Sequence, residues 1–475
     1  MTDVLRADAV VIGTGAGGGP AAALLAEAGM RVVVLEAGSR YGAGDFTGDE
    51  GEMTARLWKF GMAGNTLALY AGACVGGSTV INDALCFRTP PEILAHWRDD
   101  HGLTGLTDEG WAPFVEQVWT DVHAEPTDRA HQSRNAEVLA VGAAKLGWAA
   151  GPTPRSVRDC VNLGLCNFGC PSNAKQSTLL AYIPRAERHG ARVVPDTRVD
   201  RLRIEGGTVR GVSATRTTGE TLDVDAPLVC VAAGVLDTPV LLQRSGVAAG
   251  DGVAFHSTVH VSARCAEPIH GYYGPTMGYA VSEFSDVAGH HGPGFMIENV
   301  SVMPVATASA LPGFGSVHAE RMAQLSHLAR ALVVSHDRTR GRIGADGAVT
   351  YELIPDDLER LRRGIRETTR AFLAAGVEEV WLPVDGLPAV RSEADLAALD
   401  AAVLTQAGFS MVYAVHLFGG AAMGTVCDED GAVRGVRGLY VCDASTLPSN
   451  TGVNPQVTVM ANALRIAGEI VARSR

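Results

Sequence analysis

Lysine is nearly absent from this chain. Only Lys59, Lys145 and Lys175 occur among 39 basic residues, against 52 acidic ones, and the formal net charge is −13. Such a balance supplies no basic stripe to neutralise a phosphate backbone, which excludes nucleic acid as a partner. Long apolar runs are missing too: no stretch of 18 or more apolar residues occurs, so no transmembrane segment is expected. The first residues lack the basic region and apolar stretch of a secretory signal, and the expected location is the cytoplasm. Nine cysteines, an odd number, are scattered along the chain. Cys74, Cys86, Cys230 and Cys442 sit in apolar stretches, and reduced thiols are the expectation. Charged residues make up only 19% beside 47% hydrophobic ones, which excludes a disordered chain. At 475 residues the chain exceeds what one core serves, so two or three domains are expected.

What is abundant is glycine, at 56 residues, and its placement near the start is the strongest local signal. Residues 7–38 read ADAVVIGTGAGGGPAAALLAEAGMRVVVLEAG. Two β-branched runs, Val10–Ile12 and Val32–Leu35, flank an alanine-rich segment of helical composition. Gly13, Gly15 and Gly18 form a G-x-G-x-x-G where the first strand turns into that helix. The three glycines serve a tight turn, close backbone approach to a pyrophosphate, and tight helix–strand packing. The helix N-terminus, with free N–H groups and a positive dipole end, then carries the pyrophosphate. Glu36 closes the second strand 18 residues after Gly18, where an acid takes ribose hydroxyls. The pattern predicts a site for an ADP moiety; a plain βαβ unit would not need that acid.

Further along, Tyr41–Tyr70 reads as an extended loop over a ligand, with Trp58 and Tyr70 as aromatic landmarks. Ala73–Pro90 (ACVGGSTVINDALCFRTP) offers paired glycines for backbone approach to a flat ligand, and Ser78, Thr79 and Asn82 as hydrogen-bonding groups. Pro91–Ala150 has helical periodicity, and a helix is expected around Thr178–His189. Arg192–Gly234 alternates strand patterns with turns, ending in a buried strand and a second strand–glycine–helix transition at residues 232–247, AAGVLDTPVLLQRSGV. Residues 257–405 mix alternating strands, including YYGPTMGYAVSEF (272–284), with a charged helix at Asp356–Ala375. They suit an antiparallel sheet, in which Gly271–Tyr279 and Met296–Met303 are possible linings of an apolar pocket. After Val412 glycine motifs return, and the chain ends in a helix over Gln456–Arg473. The cofactor domain is thus expected to be discontinuous.

Four separated regions together resemble the glucose–methanol–choline (GMC) oxidoreductases. They are the first glycine motif, VGGSTVIN (75–82), AAGVLDTPVLLQRSGV, and the pair HLFGGAAMG (416–424) with DASTLPSNTGVNPQVTVMANA (443–463). The resemblance runs the length of the chain and is weakest over 257–405. It implies an α/β fold, α+β overall. A Rossmann-like FAD-binding domain would comprise 1–90, 190–256 and 406–475, with a helical and cysteine-tract insertion, 91–189, covering the flavin. An antiparallel-sheet substrate-binding domain would occupy 257–405. FAD is the implied cofactor and hydride transfer from an alcohol carbon to flavin N5 the implied reaction. Gly13, Gly15, Gly18, Glu36 and Ala37 would hold the ADP half. Gly76, Gly77, Ser78 and Asn82 would line the isoalloxazine or pyrophosphate. Val199, Ala233, Asp443, Ala444, Pro455 and Gln456 would complete the FAD site. The implied catalytic pair is His416 and Asn454.

The chemistry fits those residue types. An alcohol donates hydride as its hydroxyl proton leaves, so a base such as His416 must touch that oxygen. An amide such as Asn454 orients the C–H bond and stabilises the developing alkoxide. The start of the terminal helix, Val457–Ala463, would point its positive end at the reduced flavin. The product is an aldehyde or ketone, and oxygen or an electron carrier reoxidises the flavin.

Two departures from the family matter. A histidine that tethers FAD in some members is replaced by Ile81, so FAD is expected to bind non-covalently. The tract Cys160-x5-Cys166-x3-Cys170-Pro171 resembles the cysteine segment of long-chain alcohol oxidases, cholesterol oxidases and membrane sugar dehydrogenase flavoproteins. Three thiolates at this spacing admit an iron–sulfur cluster serving a redox partner, or zinc, but a structural loop beside the flavin is favoured and no metal is expected. The tract also leans the substrate towards a bulky or hydrophobic alcohol. A lyase using flavin only structurally is the remaining alternative in a different reaction class.

Overall fold

The computed structural model describes residues 3–285 and 294–474. Its first sheet grows from the two β-branched runs. Strands Ala9–Ile12 and Val32–Leu35 pair in parallel and are buried along their whole length. They are joined by Leu439–Val441 and Leu228–Val231 on one side and by Arg192–Val194 on the other, all parallel. Continuous apolar runs are what a sheet covered on both faces requires. Ala9, Val11, Val32 and Val34 pack towards helix Gly18–Glu27 and the terminal helix Gln456–Ser474. Val10, Ile12, Val33 and Leu35 face a second sheet of Asp3–Arg6, Thr221–Asp225, Thr208–Arg216 and Thr197–Glu205. The alanines of the first helix (Ala21, Ala22, Ala23, Ala26) let it lie close to the strands.

A larger sheet of 13 strands faces this unit. Its centre is Thr258–Arg264, Leu328–Ser335 and Phe295–Asn299, antiparallel in register with His260 opposite Leu332 and Leu332 opposite Glu298. Alternation assigns the faces. Val259, Val261, Ala329, Ala331 and Val333 pack under helix Pro355–Ala375 through Leu361, Ile365 and Phe372. Thr258, Glu298, Leu332 and Val334 face the other way, into a cavity. The sheet also draws in strands from outside 257–405, namely Trp58–Ala63, Leu67–Gly72, Ala150–Pro152, Asp251–Phe255, Val412–Ala414 and Leu417–Phe418.

Two expectations are corrected. Tyr41–Tyr70 is not a loop: Asp49 caps helix Glu50–Leu57, and Trp58–Ala63 pairs with Leu67–Gly72 as a hairpin. Burial of Ala63, Leu67 and Leu69 around Gly64, whose φ is +55°, is the alternation and turn chemistry of a hairpin. Conversely, residues 272–284 contribute only Tyr279–Val281 to the sheet. Pro275 has no N–H for a ladder bond and Gly274, with φ at +89°, breaks the extended run.

Candidate active site

Between the two sheets lies a cavity of about 610 Å³. One end is formed by glycine turns. Gly13 has φ +95°, and a Cβ there would lie 2.2 Å from the Ala232 carbonyl oxygen; a Cβ on Gly77 (φ +53°) would lie 2.9 Å from Gly15 Cα. Only glycine lets these turns pack backbone against backbone where they border the cavity. Thr14 fixes the arrangement: its hydroxyl donates to Glu36 Oε2 (2.6 Å) and accepts from Gly76 N (2.8 Å), while its carbonyl accepts from Thr178 (2.9 Å). Glu36 also accepts from the backbone of Thr14 and Gly38. Burial pushes its carboxyl up, against the pull of those bonds.

Gly13, Gly15, Glu36, Ala37, Gly77, Ser78, Asn82, Val199, Ala233, Asp443, Ala444, Pro455 and Gln456 all line the cavity. Gly18 and Gly76 do not. Gly18 packs against the Gly13 carbonyl, where a Cβ would lie 1.9 Å away, and Gly76 holds Thr14. Several lining residues are also braces. Asn82 donates to Gln456 Oε1 (2.8 Å), and Gln456 donates to the Leu85 carbonyl (2.6 Å), tying the 76–86 segment to the terminal helix. Asp443 accepts from Gly234 N (2.8 Å), the Thr238 hydroxyl (2.6 Å) and Ser445, joining the tips of neighbouring strands. A long cleft with glycine turns at one end, an acid beyond the second strand and a helix N-terminus between them fits a dinucleotide such as FAD.

His416 and Asn454 meet at the end nearer the large sheet. Asn454 Nδ2 lies 3.4 Å from His416 Nε2 and 3.4 Å from Glu298 Oε2, so one amide group spans a base and an acid. Burial pushes the His416 imidazole down to about 4 and the Glu298 carboxyl up to about 8. At neutral pH both are therefore uncharged, the histidine able to take a proton and the carboxyl holding one. Glu298 Oε1 and Asn454 Oδ1 are buried without a partner. Around them the wall is apolar: Leu85, Met277, Leu332, Val334 and the ring of Tyr413. Of the two stretches expected to line a pocket, Met277 and Glu298 do so, whereas Met296 and Met303 do not.

Glu298 is a residue that sequence reasoning missed. It sits in FMIEN, where a lone acid between apolar residues was the available signal. His256, buried behind His416, was missed for a similar reason.

The cysteine tract lies under the 80–83 segment. Lys175 Nζ donates to the carbonyls of Val80, Asn82 (2.8 Å) and Cys166, and Asn167 donates to the Ile81 carbonyl (3.0 Å). Arg155 donates to Cys166 Sγ (3.0 Å). Cys160, Cys166 and Cys170 border one small pocket as free thiols. Among the described residues no group of three His, Cys, Asp or Glu side chains is placed to hold a metal ion, and no helix is long and apolar enough to cross a membrane.

Comparison with known proteins gives the family. Two GMC oxidoreductase family models match residues 11–262 and 337–463. The chain belongs to the GMC oxidoreductases, a family of FAD-binding flavoproteins. A GMC-type oxidoreductase of Mycobacterium tuberculosis is 35% identical, over 99% of this chain and 76% of that protein. A long-chain-alcohol oxidase of Arabidopsis thaliana is 29% identical, over 98% and 67% respectively. A cholesterol oxidase of M. tuberculosis is 24% identical, over 97% and 90%. Among solved structures, pyridoxine 4-oxidase from Mesorbium loti superposes with a TM-score of 0.75 at 18% identity, covering 99% of both chains. A formate oxidase of Aspergillus oryzae superposes equally well, at 17% identity over 100% of this chain and 99% of that one.

Proposed function

We propose that this protein oxidises an apolar, bulky alcohol to an aldehyde or ketone, with His416 as the base and non-covalently held FAD. The carrying observation is the contact of Asn454 Nδ2 with both His416 Nε2 and Glu298 Oε2 on an apolar cavity wall. Gly13, Gly15, Gly77, Ser78, Ala233 and Ala444 would hold the cofactor, and bound FAD supplies the two-electron acceptor for the hydride of the carbinol carbon. The neutral imidazole of His416 takes the hydroxyl proton at Nε2. Asn454 holds the substrate oxygen and so aims the C–H bond. Glu298, protonated, offers a donor from its unpartnered oxygen to the same alkoxide. Leu85, Met277, Leu332 and Val334 exclude water and favour an apolar substrate body. The activities for which the relatives are named, on long-chain alcohols and cholesterol, support the same class. Ile81 in place of a tethering side chain supports non-covalent FAD.

The test is an anaerobic flavin-bleaching screen of primary, long-chain and polycyclic alcohols, followed by admission of oxygen or an artificial acceptor. With the best substrate, His416→Ala and Asn454→Ala should slow bleaching by about 10²–10⁴-fold at parental flavin content. Acid precipitation should release the flavin into the supernatant. Parental bleaching rates in both variants would refute the assignment.

A further inference from the structure

Behind His416 lies a second buried histidine. His256 follows strand Asp251–Phe255, whose antiparallel register, Phe255 opposite Leu417, sets residues 256 and 416 side by side. The His256 backbone N–H donates to the His416 backbone carbonyl (3.2 Å), and the two ring Nδ1 atoms are 3.1 Å apart with the rings edge to face. Phe418 and His336 enclose the His256 ring, at 5.1 and 5.5 Å between centroids. Two neutral imidazoles can approach in this way only with one proton between the Nδ1 atoms. If His416 carries it, the His416 Nε2 lone pair faces Asn454 and the cavity. If His256 carries it, His416 Nε2 bears hydrogen and takes no proton from a substrate.

The hydrogen-bond direction at His416 Nε2 decides which holds. Facing His416 Nε2 is Asn454 Nδ2, a donor that also reaches the Glu298 carboxyl. That donor makes His416 Nε2 the acceptor and Nδ1 its protonated nitrogen, while on the far side His256 Nε2 is buried without a hydrogen-bond partner and does not bias the choice. The His256 proton then sits on Nε2, and its Nδ1 accepts. We propose that His256 is a positioning residue that holds His416 in the Nδ1–H tautomer, leaving Nε2 free to take the substrate proton. The proposal rests on the reading of His416 as the base. Burial, with His416 and His336 as its neighbours, keeps His256 neutral, so it accepts the bond without competing for the substrate proton.

The experiment uses FAD-loaded protein labelled with ¹⁵N-histidine. Two-bond ¹H–¹⁵N correlations at pH 7 read which nitrogen of His416 is protonated, with the signal assigned by its loss in His416→Gln. The expected result is Nδ1–H in the parent and in His256→Asn, whose Oδ1 replaces the accepting nitrogen. His256→Leu should show Nε2–H or a mixture and reduce flavin about 10- to 100-fold more slowly, because an orienting partner fixes tautomer and ring direction. His256→Asn should recover most of that rate. Nε2–H in the parent overturns the proposal, even if His256→Leu does not fold. So does a His256→Leu variant with the parental tautomer and rate. An inactive His416→Ala beside an unaffected His256→Leu refutes only the role of His256. A fully active His416→Ala refutes the base itself.

Discussion

Glu298 and His416 sit on either side of one amide, and burial moves them in opposite directions. The carboxyl is pushed up to about 8 and the imidazole down to about 4. Between pH 4.5 and 8 the folded protein keeps a proton on Glu298 that the unfolded chain gives up, so this residue's contribution is full below about 4.5 and is lost as pH rises towards 8. For His416 the unfolded ring takes a proton that the folded one refuses, so its contribution is full above about 6.5 and is lost as pH falls towards 4. Glu298→Gln removes the first slope and leaves the second. The melting temperature of Glu298→Gln relative to the parent should therefore climb steadily from pH 5 to pH 8. The stability difference behind that climb should reach several kcal/mol, because each tenfold difference in proton affinity between folded and unfolded chain is worth about 1.4 kcal/mol. Differential scanning calorimetry at four pH values checks this, and a pH-independent difference would mean that Glu298 is not held protonated.

At the scale of elements, the cysteine tract acts as a floor for the segment that follows the second glycine pair. Lys175 is completely buried, pushed down to about 8, and its ammonium bonds three backbone carbonyls, of Val80, Asn82 and Cys166. Lys175→Met keeps the length and removes the donor. Leaving these carbonyls unpaired should cost about 1–3 kcal/mol and, because Ile81 and Asn82 line the cavity, should lower FAD retention on dilution. Urea unfolding and flavin content after gel filtration measure both. Neither effect could be foreseen from residues alone, because the lysine and its carbonyls are 93 and 95 positions apart for Asn82 and Val80. By contrast, the first βαβ unit was legible because its signals are local: β-branched runs, alanines between them, and glycines at the turn. The hairpin at 58–72 carries equally local signals, but its glycines outweigh its alternation when residues alone are considered, and a loop is the expectation that results. His416 and Asn454 were legible through their motifs. Glu298 and His256 were not, because what brings them to that pair is the strand register that sets Glu298 opposite Leu332 and His256 beside His416.

For the whole molecule, the wiring of the large sheet has a thermodynamic consequence. Its strands come from residues 58–72, 150–152, 251–264, 279–299, 328–350, 379–381 and 412–418, so the chain passes repeatedly between this sheet and the parallel one. The segments that build the glycine-turn end of the cavity continue directly into strands of the large sheet: Trp58–Gly72 runs into the glycine pair, and Leu417–Phe418 leads to Asp443 and the terminal helix. Neither sheet can lose its strands without disturbing the other, and contacts of such long sequence separation make unfolding cooperative. FAD bound between them adds stability only while both are folded. Heating should then give one transition in which far-UV circular dichroism, tryptophan emission and the rise of free-flavin fluorescence share a midpoint, and added FAD should raise that midpoint. Trp97 and Trp111, buried beside the terminal helix, report on the parallel-sheet side, while Trp381 reports from the large sheet. If tryptophan emission from variants retaining only Trp97 and Trp111, or only Trp381, gave midpoints more than a few degrees apart, the two sheets would be melting independently and the shared wiring would not couple them.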